Sequence, residues 1–285
     1  EITYGDWSSH VCSSDLRNLA CSGAIPVGST DNLNFGNPHN PEIFWQLKES
    51  VRGLADGCRA FGAPVTGGNV SLYNQRGALG AIDPTPTVAV VGIIEKPEHI
   101  TTQWFKDAGD AILLLGAPVD LADPLQGLGG SAYLKTRHGL KDGLPPRVDL
   151  GVAQTLHTTL LGLIREGVVK SAHDCSEGGL AVTLVESCFS QQVARESHRF
   201  LGATVDLSAC AEGARLDALL FGETQNRVVV SVAAIDAGRV LKQVRAMGVP
   251  AVQIGTVGGE SLVLKTPAGE FSASVARLHD GWWNS

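Results

Sequence analysis

Two polar stretches indicate the fold of this chain: TDNLNFGNP at residues 30–38 and TGGNVS at residues 66–71. Each comes directly after a short apolar run typical of a strand, at residues 24–27 and 63–65. Asn, Asp and Gly are the residues that turns favour. We therefore expect two strands that each end in a polar loop, and these loops are the first candidates for a binding site.

A helix is predicted between the two polar stretches. Asn40 can cap its start, Pro41 suits its first turn, and Gly62 is placed to end it. Five apolar side chains recur at helical spacing and are expected to share the core-facing side: Phe44, Leu47, Val51, Leu54 and Cys58. A strand, a helix and a second strand in this order indicate an α/β unit.

The chain has 285 residues, which is enough for two domains of ordinary size. Residues 87–94 form a continuous β-branched run that predicts a buried strand, and the pattern breaks around residues 99–107 before a second apolar strand begins at Ala111. We therefore predict an α/β (α+β) protein. Its expected parts are a non-native or disordered leader at 1–16, a first domain at 17–108 and a second α/β domain at 109–285.

Strands and helices are expected to alternate in the second domain. The apolar patterns predict helices at residues 152–165, 179–189 and 235–247. They predict strands at residues 203–207, 227–232, 252–257 and 262–265. In the first helix, we expect Leu156, Leu160, Leu163 and Ile164 to face the core.

Composition excludes several classes of function. The formal net charge is −7 and no segment is rich in Lys and Arg, which argues against a nucleic-acid partner. No apolar run approaches the ~18 residues of a membrane span, so no membrane partner is expected. The 6 cysteines are scattered without a Cys-x-x-Cys pair, which disfavours a zinc site and indicates reduced thiols in a cytoplasmic protein.

The two polar stretches have the chemistry of a magnesium–nucleotide site. Asp31, Asn32 and Asn34 offer carboxylate and carboxamide oxygens, which Mg²⁺ prefers. Gly67 and Gly68 carry no side chain to keep the backbone from a phosphate. A P-loop sequence is absent. Because the same residues are also the commonest turn formers, the alternative that each stretch is only a turn stays open.

Each of two polar motifs in the second domain also allows two interpretations. HDCSEGG at residues 173–179 precedes a helix, where Asp174 or Ser176 can cap it, and such a helix start can bind an anion. FGETQNR at residues 221–227 can line a cleft, or Glu223 and Arg227 can form an ordinary ion pair. For residues 173–179, an acidic cap with a hydrogen-bonded histidine is favoured over an anion site.

Taken in order, these motifs resemble one family, the large subunit of phosphoribosylformylglycinamidine synthase. The resemblance begins at about Arg17, and the two long polar stretches at this separation are its most specific part. Its motifs are NLACSG at 18–23, DNLNFGNP at 31–38, PVTGGNVSLYN at 64–74, PTPT at 84–87, HDCSEGGL at 173–180 and FGETQNR at 221–227.

The resemblance implies a fold and a set of site residues. The family is built from two tandem copies, each with an N-terminal and a C-terminal α/β domain of the aminoimidazole ribonucleotide synthetase-like superfamily. This chain would hold an incomplete second-copy N-terminal domain, of the ATP-binding type, and the second C-terminal domain. By position, Asp31 and Gly68 resemble ATP contacts, Asn69 a magnesium ligand and Ser71 a substrate contact.

The resemblance also implies an activity and partners. The family uses ATP and Mg²⁺ to convert formylglycinamide ribonucleotide and glutamine-derived ammonia into formylglycinamidine ribonucleotide, a step of purine biosynthesis. The ammonia comes from a separate glutaminase subunit, and a small bridging subunit completes the complex. Because the family's catalytic histidines lie on the first copy, His173 is given no catalytic role, and the chain alone is expected to be inactive.

Two other hypotheses are kept. The chain resembles, less closely, other aminoimidazole ribonucleotide synthetase-like enzymes, which would need a complete N-terminal domain with its own nucleotide segment. A non-catalytic auxiliary module that binds a nucleotide and stabilises a partner is the second. Nucleotide affinity without turnover would favour the module.

Overall fold

The computed structural model describes residues 4–190 and 199–284. In its first half, helix α1 (Tyr4–Cys21) leads into strand β1 (Ile25–Asn34), helix α2 (Pro41–Phe61), strand β2 (Val65–Ser71) and strand β3 (Thr85–Ile93). The three strands form a sheet in the order β2-β1-β3. β1 pairs in parallel with β2 and antiparallel with β3. The connection from β1 through α2 to β2 is the predicted α/β unit.

Helix α2 begins and ends where the sequence predicts. The Asn40 side chain accepts a hydrogen bond from the Glu42 amide, Pro41 opens the helix, and Gly62 ends it in the left-handed conformation (φ 62°). The predicted inward face is partly wrong, because Phe44 and Val51 are 55% and 45% exposed. Leu54 and Cys58 are buried as predicted, whereas in the first half of the helix the buried positions are Ile43 and Ser50, each one residue before a predicted position.

One face of this three-stranded sheet is covered and the other is open. Leu33 on β1 packs with Leu16 of α1 and with Ile43 and Leu54 of α2 in a small core. On the opposite face, side chains of β3 are exposed, with Val91 at 62% and Ile93 at 56%. The prediction that the 87–94 run is a strand is confirmed, but the prediction that it is buried is wrong, because burial alternates along it.

The N-terminal segment differs from the expected frayed or disordered leader, because α1 is helical from Tyr4. Near the end of that segment, the side chains of Ser13 and Leu16 are 0% and 1% exposed. The physical reason is the apolar contact of Leu16 with the core beneath the small sheet. That residues 1–16 are non-native stays a prediction, as do the proposed limits of the domains.

The second half of the chain contains a larger sheet. Its strands are β4 (Ala111–Leu115), β5 (Val169–Asp174), β6 (Ala203–Asp206), β7 (Val228–Val232), β8 (Ala251–Val257), β9 (Ser261–Thr266) and β10 (Gly269–Ser274). They lie in the order β10-β9-β6-β8-β4-β7-β5. β6 and β9 are parallel, and the other pairs are antiparallel.

Helices cover both faces of the larger sheet. They are α3 (Ala132–His138), α4 (Leu150–Arg165), α5 (Gly179–Ser187), α6 (Leu216–Phe221), α7 (Ala237–Ala246) and α8 (Val275–Trp283). Along the central strand β4, Ile112 and Leu114 face the core formed with α5 and α6, whereas Leu113 and Leu115 face the core formed with α4 and α7. A strand covered on both faces reads as a continuous apolar run, which is why β4 was visible in the sequence.

Most of the predicted elements of this half are confirmed within a few residues. Leu156, Leu160, Leu163 and Ile164 of α4 are 0–2% exposed, as predicted. Five elements were missed: β5, β10, α3, α6 and α8. Among residues 4–190 and 199–284, the helices lack the combination of length and apolar character that a membrane crossing requires.

Candidate functional site

The polar stretches at residues 30–38 and 66–71 are side by side in the structure, but as strands. The prediction that they form loops is wrong for most of their length, because β1 extends to Asn34 and β2 covers 65–71. The strands pair in parallel, with Asp31 opposite Gly68, Asn32 opposite Asn69 and Asn34 opposite Ser71. The residue types that suggested turns are held in strands by this pairing, since strand propensity depends strongly on tertiary context.

Asp31 and Gly68 lie together on the covered side of the sheet, the side to which Leu33 points. A Cβ added to Gly68 would lie 2.6 Å from Asp31 Oδ1 and 2.7 Å from Asp31 O, so the carboxylate occupies the space above the glycine. Asp31 is itself half-buried. The two predicted ATP contacts are therefore brought into one place, with a carboxylate over exposed glycine backbone.

Asn69 and Ser71 point to the open side of the sheet. Successive side chains of a strand point to opposite faces, so Asn69 lies with Asn32 and away from Asp31. The Asn69 Nδ2 donates to Asn32 Oδ1 at 3.2 Å. Ser71 Oγ is 3.2 Å from Asn74 Oδ1 and 3.1 Å from Asn74 Nδ2. The structure thus brings Asn69 and Ser71 to one polar edge but does not direct the side chain of Asp31 toward them.

The donor set on the open side fits a hard cation. Because Asn69 uses its Nδ2 to reach Asn32, its Oδ1 lies on the other side of the carboxamide and is directed away from that bond. Carboxamide oxygens are ligands that Mg²⁺ accepts together with phosphates and water. Within the described part of the chain, no three His, Cys, Asp or Glu side chains are grouped as a metal cluster.

Replacing Gly68 by Ala should disturb this arrangement strongly, because the new methyl group would overlap the Asp31 carboxylate and carbonyl. Overpacking of this kind costs about 1–3 kcal/mol. Gly67 is the matched control, since a Cβ there meets nothing within 4 Å. We expect urea unfolding to show a loss of stability for Gly68→Ala and little change for Gly67→Ala. Equal stabilities of the two variants would contradict the close contact between Asp31 and Gly68.

The HDCSEGG motif of the second domain does not cap its helix as predicted. The N-cap of α5 is Gly178, in the left-handed conformation (φ 77°), and it has no side-chain cap bond of its own. Asp174 and Ser176 instead bond to each other. The capping carboxylate comes from the FGETQNR motif, because Glu223 Oε1 accepts from the Gly178 amide at 3.1 Å and from the Ala132 amide at 2.9 Å.

His173 is held between two carboxylates and is hydrogen-bonded, as the favoured interpretation of its motif expected. Its Nε2 is 2.8 Å from Glu186 Oε2, and its Nδ1 is 3.8 Å from Asp174 Oδ1. Burial disfavours the imidazolium, but the bonds and charges of Asp174 and Glu186 outweigh this and raise the pKa of His173 to about 9. Cys175 beside it is fully buried, and burial raises the pKa of its thiol.

In the structure, Glu223 and Arg227 each bond to main-chain groups, which differs from the predicted cleft lining or mutual ion pair. Arg227 is fully buried and donates to the carbonyl oxygens of Thr224, Pro118 and Gly222. Glu223 instead accepts hydrogen bonds from the amides at the starts of α3 and α5. Both residues therefore hold the loops between β4, α3, α5 and β7 in place.

Sequence reasoning missed Arg17, which reaches from α1 to both motifs of the second domain. Its guanidinium is 3.4 Å from Asp174 Oδ2 and donates to Gln225 Oε1 at 3.1 Å. The sequence does contain a signal for this role. Arg17 is a single basic residue next to Leu16, and in a helix it lies on the same side as Ala20 and Cys21. Because the leader was expected to be unstructured, this helix was not recognised.

Comparison with known proteins gives the class to which this architecture belongs. Residues 107–265 match the C-terminal domain of AIR synthase related proteins, and residues 5–94 match the N-terminal domain of the same proteins. The chain belongs to the AIR synthase related family, and the predicted fold class is confirmed.

The predicted resemblance within this family is also confirmed. The chain is 42% identical over 276 residues to the phosphoribosylformylglycinamidine synthase subunit PurL of Anaeromyxobacter sp. (strain K), covering 96% of this chain and 34% of that protein. It therefore spans about a third of the length of the curated relatives it matches.

Solved structures show the same fold. Thermotoga maritima PurL complexed with FGAR matches with a TM-score of 0.73 at 18% identity, over 97% of this chain and 43% of that one. The same protein complexed with ATP matches with a TM-score of 0.70 at 17% identity, over 96% and 41%.

Proposed function

We propose that this chain is part of an ATP-dependent carbon–nitrogen ligase that converts formylglycinamide ribonucleotide and glutamine-derived ammonia into formylglycinamidine ribonucleotide. The observation that carries the proposal is the parallel pairing of β1 with β2, which sets Asp31 against Gly68 and Asn32 against Asn69. The name shared by the relatives, phosphoribosylformylglycinamidine synthase subunit PurL, supports it further.

Asp31 and Gly68 are proposed to contact ATP, Asn69 to hold Mg²⁺ and Ser71 to contact the substrate. The exposure of Gly68 and its place beside the Asp31 carboxylate support a nucleotide contact at this point of the sheet. The open position of the Asn69 carboxamide supports a metal contact. Ser71, held by Asn74 at the end of β2, can accept a hydrogen bond from a donor of a ligand on the open face.

The residues of this chain would act by binding and orientation. When bound, Mg²⁺ offsets the negative charge of nucleotide phosphates, which is its usual contribution to phosphoryl transfer. The side chains of Asn32 and Asn69 already bond to each other, so the carboxamide of Asn69, which would hold Mg²⁺, is oriented in advance. The Asp31 carboxylate on the covered side can accept hydrogen bonds from a nucleotide sugar or base, but it would repel a phosphate.

A glutaminase subunit, a small bridging subunit and a cytoplasmic location are part of the same proposal. The relatives are named as one subunit of a synthase, which supports a multi-subunit complex. Neither interaction surface is assigned to particular residues of this chain.

Calorimetric titration of the 285-residue chain with Mg-ATP tests the proposed site. We expect Asn69→Ala to bind at least ~10-fold more weakly than the wild type, because loss of one metal ligand contact of ~1.4 kcal/mol corresponds to that factor. Asn284→Ala, near the C-terminal end of α8, is the matched control and should bind like the wild type. Equal affinities of Asn69→Ala and wild type would contradict the proposed metal contact. The pairing of β1 with β2 would then serve the fold alone.

A further inference from the structure

The interface between the N-terminal and C-terminal family domains contains a fully buried arginine. Arg17 of α1 has a side chain that is 0% exposed, and its partner Asp174 is 2% exposed. Its Nη2 also lies 3.3 Å from the carbonyl oxygen of Cys175 and 3.5 Å from Ser176 Oγ. One guanidinium therefore contacts both the loop after β5 and, through Gln225, the loop before β7.

The rest of the buried interface is largely apolar, and two further polar contacts between the domains are exposed: Lys141 with Asp83, and Gln154 with the carbonyl oxygen of Ala60. Exposed contacts of this kind contribute little. Ala20 and Cys21 of α1 are buried in the core of the larger sheet, where Leu160 and Ile164 of α4 also lie. Near the end of α2, the ring of Phe61 stacks on that of His157 at 4.7 Å. Apolar contacts of this kind are favourable but non-directional, so they do not by themselves select one angle between the domains.

The contacts of Arg17 are directional, and burying its charge costs free energy. Its planar guanidinium presents donors in a fixed geometry, so several acceptors must be in place at once. Removing the charges of Arg17 and Asp174 from water carries a penalty that offsets much of their attraction, and Arg17 Nε has no partner among the described residues. Little net stability is therefore expected from the ion pair, which leaves geometry as its main contribution.

We propose that Arg17 sets the orientation of the N-terminal domain relative to the C-terminal domain, by binding Asp174 and Gln225 at the same time. The two motifs it contacts belong to the loops that Glu223 holds around the start of α5. Arg17 is thus a positioning residue, which connects the three-stranded sheet to the polar loops of the second domain. This inference does not depend on the proposed reaction.

Distance measurement between spin labels tests the orientation directly. Lys48 on α2 and Lys242 on α7 are exposed and lie in different domains, so Cys substitutions there can carry nitroxides, with Cys12 replaced by Ser in every sample. The wild-type chain should give one narrow distance distribution by double electron–electron resonance. In Arg17→Met, we expect the distribution to become at least twice as wide or to shift its maximum.

Gln225→Met is the second variant, because it removes the Arg17 Nη1 bond and keeps the charges. Arg215→Met, which removes an exposed ion pair with Asp217, is the matched control and should leave the distribution unchanged. Circular dichroism first establishes folding. If Arg17→Met folds, an unchanged distance distribution overturns the proposal. If Arg17→Met does not fold, an unchanged distance distribution in Gln225→Met overturns it.

Discussion

Replacement of Arg227 by Met should destabilise the folded chain by about 3–5 kcal/mol. The guanidinium is fully buried and donates to the carbonyl oxygens of Thr224, Pro118 and Gly222. Met fills a similar volume but donates nothing, so three carbonyl groups lose a partner. Each buried group without a partner costs roughly 1–3 kcal/mol. The loop that carries Glu223 would lose its support as well.

Urea unfolding followed by circular dichroism measures this effect, and Arg215→Met provides the control. Arg215 is 58% exposed and its ion pair with Asp217 lies at the surface, where such pairs contribute little. The expected change for the control is within ~0.5 kcal/mol. A loss below ~1 kcal/mol for Arg227→Met would show that water or rearranged loops can satisfy the three carbonyl groups.

Elements with local signals were predictable from the sequence. Helix α2 shows this most clearly, because its cap at Asn40, its proline at Pro41 and its left-handed Gly62 are all fixed by nearby residues. Strand β4 was visible because both of its faces are buried. In such places the local preference and the tertiary environment agree, which is why the prediction succeeds.

In the polar strands of the candidate site, by contrast, the local preference and the tertiary environment disagree. Asn and Gly disfavour strands in general, so the pattern at residues 30–34 and 65–71 indicated loops. Pairing of β1 with two neighbours overrides this preference. The sequence could indicate that Asp31, Gly68, Asn69 and Ser71 are close together, but it could not give the face on which each side chain lies. That assignment depends on strand pairing and register.

Long-range capping was also invisible in the sequence. At the start of α5, the Gly178 amide donates a hydrogen bond to Glu223, which lies 45 residues later along the chain. A pattern search looks for a cap within a few residues, and it therefore assigned the role to Asp174 or Ser176. Asp174 is occupied instead by an ion pair with Arg17, 157 positions earlier, which only the folded chain reveals.

His173 makes stability fall as the pH rises above neutrality. The pKa of His173 is raised from 6.5 to about 9 in the folded chain, despite burial, by Asp174 and Glu186. The stabilisation from its charged form is therefore complete below pH ~6.5 and is lost as the pH rises through about 9. The side chain is 12% exposed, and the full loss is on the order of 3 kcal/mol. Between pH 7 and 8 the expected slope is about 1 kcal/mol per pH unit.

Other titrating groups act mainly below pH 7 or, above it, in both directions. Burial raises the pKa of several thiols, which therefore also lower stability as the pH rises towards 9: those of Cys21, Cys175, Cys188 and Cys210. Burial and the charge of Asp174 raise the pKa of Asp15 to about 6, and burial lowers the pKa of His157 to about 3, so both act mainly below pH 7. Burial and the charge of Arg199 lower the pKa of Lys106 to about 8, which raises stability at higher pH. His173→Gln keeps all of these groups, so its difference from wild type isolates the imidazole.

Urea midpoints of the wild type and His173→Gln, measured from pH 6.5 to 9, provide the test. The wild-type free energy of unfolding should fall across this range, and that of His173→Gln should fall less, because the variant lacks the imidazole. The advantage of wild type over variant should therefore shrink steadily with pH. Parallel curves would mean that His173 is already neutral at pH 7, and that Glu186 is held by Trp282 Nε1, 3.1 Å from its other oxygen, without a charged imidazole.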